Sequence, residues 1–125
     1  MKLRLLDDSI RLRLSRGDVD AANRRGIVEA RTRFPDGSVF RFALQALPAG
    51  TAASAAFEGD RLIVRLPAPE ISAWATDDAA VSLHGELPLP QGDSLRLLVE
   101  KDFQCITARD DEDQSDLFVN PEKNC

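Results

Sequence analysis

The 125-residue sequence predicts an α+β, mostly β domain. It reads as about eight strands in a curled antiparallel sheet, a meander tending to a partial barrel or sandwich, closed by two short helices. Three observations predict this. Apolar and charged residues alternate with period two over most of the first 100 positions. Turn-forming residues interrupt that alternation at hairpin spacing. Only two stretches carry helix-start chemistry instead.

Lys2 to Leu6 and Ser9 to Leu14 alternate on either side of Asp7-Asp8, the pattern of two half-buried strands joined by a two-residue turn. Leu3, Leu5, Ile10, Leu12 and Leu14 are expected to face the core, and Lys2, Arg4, Arg11 and Arg13 the other side. Ser15 followed by Asp18 is an N-cap with an acid in the first turn, so a short helix should run through Val19, Ala22 and Asn23 to a left-handed stop at Gly26. From Ile27 to Phe34 and Ser38 to Leu47 the period is again two, and Pro35-Asp36-Gly37 forms the turn between them. Val28, Ala30, Thr32 and Phe34 should meet Phe40, Phe42 and Leu44 on one face, leaving Arg31, Arg33 and Arg41 on the other. Glu58-Gly59-Asp60 joins Ala52–Phe57 to Arg61–Leu66, with Leu62, Val64 and Leu66 pointing inward. Glu70 to Thr76 reads as the second helix, placing Ile71 and Trp74 on one side. Ala79–Leu87 and Ser94–Glu100 are the last strands, linked by Leu89–Asp93.

No linker divides the chain, so 1–125 is one domain, with 1–100 as a β-rich scaffold and 101–125 as an acidic C-terminal segment. A chain this long removes roughly two thirds of its unfolded surface from water and needs no disulfide framework. From Glu100 onward there are eight acidic residues against Lys101, Arg109 and Lys123. The preceding positions balance, so the net charge of −5 resides in the last fifth of the chain. That sign argues against nucleic acid or an anionic membrane as partner and leaves self-association or another protein. No apolar run approaches the ~20 residues of a membrane span, and no signal-peptide centre follows Met1. A cytoplasmic setting is expected, in which Cys105 and Cys125 are thiols or ligands.

Three sites follow from the residue types. The C-terminal segment offers Phe103, Leu117 and Phe118 as apolar anchors with Arg109, Asp113 and Asp116 fixing orientation, which suggests a non-enzymatic interaction domain. Zinc or another divalent metal could use Cys105, Cys125, His84, Asp113 and Asp116, although no Cys-x-x-Cys specifies it; otherwise Cys105 packs and Cys125 is exposed. Anion binding would use Arg4, Arg11, Arg13, Arg31 and Arg33, which fall on the polar faces of strands. Like charges directly across strands need something negative between them, and Glu29, Glu58, Glu100, the acidic segment or a bound anion would all serve. The run from Asp110 to Asp116 lacks the sixth-position glycine of a calcium loop. The triphosphate-tunnel signature Glu-x-Glu-x-Lys is replaced here by Lys2-Leu-Arg-Leu-Leu6. There is no Gly-x-Ser-x-Gly and no glycine-rich phosphate loop.

Ser9-Ile-Arg-Leu-Arg-Leu14, Val99-Glu-Lys-Asp-Phe-Gln-Cys105, Glu112-Asp-Gln-Ser-Asp116 and Asn120-Pro121 together resemble a family of short bacterial proteins of unknown function. The Glu-Lys-Asp-Phe-x-Cys segment is the most specific part. The resemblance implies a small cytoplasmic domain with distinctive polar residues near its C-terminus and assigns no activity.

Overall fold

The computed structural model describes residues 1–103 and 115–119. Along them run β1 (Lys2–Leu5), β2 (Ser9–Leu14), α1 (Arg16–Arg25), β3 (Ile27–Arg33), β4 (Val39–Leu47), β5 (Ser54–Glu58), β6 (Arg61–Pro67), α2 (Ala68–Thr76), β7 (Ser82–Pro88) and β8 (Ser94–Lys101). The mostly β class, with eight strands and two short helices among the described residues, agrees with the pattern of the sequence. The connectivity is richer than a meander. The strands form two mixed sheets, ordered β1-β2-β8-β7 and β3-β4-β6-β5, and neither closes into a barrel.

Both sheets are built alike: two hairpins joined through their second strands, which run parallel. In the first sheet β2 lies parallel to β8, and in the second β4 lies parallel to β6. A parallel join needs a long connection. For β2 and β8 that connection is the whole second sheet together with both helices.

The local elements follow their sequence chemistry closely. Ser15 and Asp18 complete a reciprocal capping box at the start of α1, satisfying two N–H groups that the helix itself leaves unpaired. Gly26 ends α1 with φ 78°, a left-handed conformation that glycine adopts without a Cβ clash. In the second hairpin Val28, Ala30 and Thr32 pair with Leu44, Phe42 and Phe40, and Arg31 with Arg41, as the alternation requires.

One core draws on both sheets and both helices. It includes Leu12 and Leu14 of β2, Leu44 of β4, Val64 of β6, Val99 of β8, Ala22 of α1, and Ile71 and Trp74 of α2. Trp74 is 1% exposed, and its indole N–H donates to the Val81 carbonyl, so burial leaves no polar atom unpaired. Leu5 departs from its expected inward position and is 58% exposed. It stands on an edge strand at the hairpin tip, beyond the cover of the core, where strand alternation alone cannot bury a side chain.

Candidate functional site

Strand alternation sends every second residue of the first sheet outward, and the register arranges those residues in rows across it. One row is Arg4, Arg11, Leu98 and His84, from β1 through β2 and β8 to β7. On one side of it lie Ser9, Arg96 and Glu86, and on the other Lys2, Arg13, Glu100 and Ser82. The face is therefore rich in guanidinium groups at its centre, where cross-strand repulsion demands an acid.

Glu100 supplies it. Its Oε1 accepts from Arg11 Nε at 2.7 Å and from Arg13 Nε at 2.7 Å, and Arg11 Nη2 lies 2.6 Å away. The Glu100 side chain is 15% exposed, so these charge-assisted contacts are sheltered from water. Arg4 and Arg96 have no ion pair among the described residues, and both are exposed. A concavity of about 660 Å³ opens on this face, lined by Arg4, Arg11, Arg96, Leu98, Leu6 and His84 among others. The face is not uniformly basic. Glu86, the cross-strand neighbour of Arg96, also lines the concavity, and beyond Arg96 an acidic hollow contains Asp7, Asp8 and Asp93. His84 lies on the β7 margin, its Nε2 3.2 Å from Ser82 Oγ.

The proposed anion set is thus divided between two sheets. Arg4, Arg11 and Arg13 share the outer face of the first. Arg31 and Arg33 lie on β3 of the second, exposed and with no ion pair among the described residues. Two residues of the concavity lie outside the site sets expected from the sequence: Arg96, which the sequence shows only as one more arginine on a polar strand face, and Leu98, which it shows only as part of an apolar run. Their only signal was the alternation of β8, because its partner β2 lies more than 80 positions away.

Of the C-terminal residues, Phe103 and Phe118 form a parallel β-bridge with ring centroids 5.6 Å apart, and Phe118 N donates to the Asp102 carbonyl at 2.8 Å. Leu117 is buried, and the Asp116 carbonyl accepts from Arg16 N at 3.0 Å. The Asp116 carboxylate lies beside Gly17 in the first turn of α1, where unpaired N–H groups favour negative charge. Residues 115–119 therefore dock on the protein's own body, against α1 and the end of β8.

That contact covers an unusual lysine. Lys101 continues the inward alternation of Leu97 and Val99 and is 4% exposed. Its ammonium donates to the Asp77 carbonyl at 2.9 Å and lies 5.8 Å from the Trp74 ring and 5.4 Å from that of Phe118. Burial pushes its pKa below the usual 10.5, with Asp78 and Asp77 acting in the opposite direction. The neighbouring Asp102 is also buried and pairs with Lys2 at 2.9 Å.

Cys105, Cys125, Arg109 and Asp113 lie outside the described residues. Among the described residues no group of three or more His, Cys, Asp or Glu side chains is arranged to hold a metal ion. No helix among them is long and apolar enough to cross a membrane.

A family model described as "Family of unknown function (DUF7009)" matches residues 1–122. No curated protein and no solved structure matches the chain.

Proposed function

The chain belongs to this family of unknown function, and from its geometry we propose that it is a binding domain whose ligand is an anion held on the outer face of the first sheet. One observation carries the reading: a concavity of about 660 Å³ contains two guanidinium groups, Arg4 and Arg96, with no carboxylate partner among the described residues. Guanidinium groups bind carboxylate and phosphate in a planar fork and shed water more readily than ammonium groups. The Glu100 contacts tie Arg11 and Arg13 of β2 to β8 beside them, which holds the side chains around the site in place.

The test is thermal unfolding in phosphate against chloride at matched ionic strength. Phosphate is expected to raise the midpoint of the wild-type chain and of an Arg31→Gln/Arg33→Gln variant. It should leave an Arg4→Gln/Arg96→Gln variant unmoved. An equal rise in the latter would place the anion elsewhere and defeat the reading.

A second reading gives the functional part to the C-terminal segment. Its support is the docking of Leu117 and Phe118 against α1 and β8, which ties residues 115–119 to the protein's own body. Truncation after Arg109 is expected to cost about 2–4 kcal/mol through the two lost apolar side chains. An unchanged unfolding midpoint would show that the segment contributes nothing to the fold.

A further inference from the structure

Resting on the anion reading above, we infer that the ligand of the first sheet's outer concavity is a small amphiphile: an apolar body ending in one oxyanionic head, carboxylate or phosphate. The volume argues first. About 660 Å³ lies in the range of roughly 300–1,000 Å³ typical of small-molecule sites. An inorganic ion would leave most of it to water.

The lining argues next. Along β8 the outward residues are Ser94, Arg96, Leu98 and Glu100, so Leu98 interrupts an otherwise polar series where that strand lines the concavity. Leu6 stands at the rim, 53% exposed. Arg11 also lines the concavity beside Leu98, and with its charged end turned toward Glu100 it leaves its aliphatic stem to the lining. An apolar body covering Leu98 and Leu6 removes that surface from water.

Charge then orients the ligand. Arg11 and Arg13 are engaged by Glu100, and Arg96 is flanked by Glu86. Arg4 faces Arg11 across the β1–β2 pair and is balanced by no acid in its row. Of the two guanidinium groups without an ion pair, Arg4 is thus the one with no acid in its row, and it seats one anionic head toward β1, with the apolar body directed across β8 toward His84.

Titration calorimetry of the full chain with decanoate, decyl phosphate, decanol and inorganic phosphate, all below micelle formation, tests this. One or both amphiphilic anions are expected to bind at a single site. Arg4→Gln should weaken them about tenfold. Leu98→Ser should also weaken them about tenfold, and Leu6→Ser less, while both variants keep the wild-type thermal response to phosphate. Inorganic phosphate binding as tightly as decanoate and decyl phosphate would overturn the amphiphile and leave the anion reading standing. Decanol binding as tightly as decanoate would overturn the role of the head. If phosphate and both amphiphilic anions all fail to bind, this inference and the reading beneath it fall together.

Discussion

On β6 of the second sheet and on β8 of the first, one aliphatic residue stands on the outer face of a central parallel strand: Ile63 and Leu98. Ile63 is 3% exposed, whereas Leu98 is half-buried. The difference lies in their neighbours. Ile63 is flanked in register by Ala43 and Ala56, and such small side chains let longer ones lie flat above the strand. Arg61 reaches across β4 to Glu29 at 2.7 Å, and Arg65 donates to Gln45 at 3.1 Å. Leu98 is flanked instead by Arg11 and His84, and Arg11 is drawn away toward Glu100. One face thus closes a roof over its aliphatic residue, with Arg31 and Arg33 lacking an ion pair among the described residues only out on the edge strand β3, and the other stays open, with Arg4 and Arg96 around its concavity. What the unpaired arginines surround, more than how many there are, is what singles out the first face for the proposed anion.

Truncating the two aliphatic residues gives the sharpest separation. Ile63→Ala should cost about 2–4 kcal/mol, because a buried side chain is lost under a roof that cannot collapse. Leu98→Ala should cost under about 1 kcal/mol, since water already reaches its site. Urea denaturation of both variants checks this, and equal losses would erase the distinction between roof and open face.

The acids give the next largest effect. Glu100→Gln removes the charge from an acceptor shared by two arginines in a sheltered setting and is expected to cost about 1–3 kcal/mol. Glu29→Gln breaks a pair whose members are 34% and 43% exposed, and should cost under about 1 kcal/mol. Glu100→Gln should also enlarge the stabilisation by phosphate, since two more guanidinium groups then lack a carboxylate. If the two substitutions cost the same, Glu100 is not the organising acid of the first sheet.

Much of this could be read along the chain, because hairpins, caps and turns are local events. Ser15 with Asp18, Gly26, and the Pro35-Asp36-Gly37 turn each act within a few residues, and the alternation puts Arg31, Arg33 and Arg41 on one face, as the register has them. What could not be read was which hairpin lies beside which. The β2–β8 and β4–β6 pairings depend on packing around Trp74 and Leu44, not on any short-range signal. That is why Arg31 and Arg33 were grouped with Arg4, Arg11 and Arg13, and why Glu100 could be named as a cross-strand acid without its partners. It also hides the likeness of the two sheets. One hairpin pair is nearly contiguous in sequence and the other is split by most of the chain, so no fixed repeat period survives.

The inner faces differ as well, and there the expected effect is smallest. β6 sends Leu62, Val64 and Leu66 inward and ends at α2, whereas β8 sends Leu97 and Val99 inward and then Lys101. Burial lowers the Lys101 pKa below 10.5, so the folded protein holds this proton less tightly than the unfolded chain does. Below the lowered value the cost of keeping the ammonium buried is constant. As pH rises from there toward 10.5, the unfolded chain binds more protons than the folded one, so stability increases. The unfolding free energy of the wild type relative to Lys101→Met should therefore rise through that alkaline window, at no more than about 1.4 kcal/mol per pH unit, the limit for one proton. A difference that falls with pH would mean that the Asp77 carbonyl and the rings of Trp74 and Phe118 favour the ammonium by more than burial disfavours it. The end of β8 would then be a cation-binding seat built into the core, with no counterpart at the end of β6.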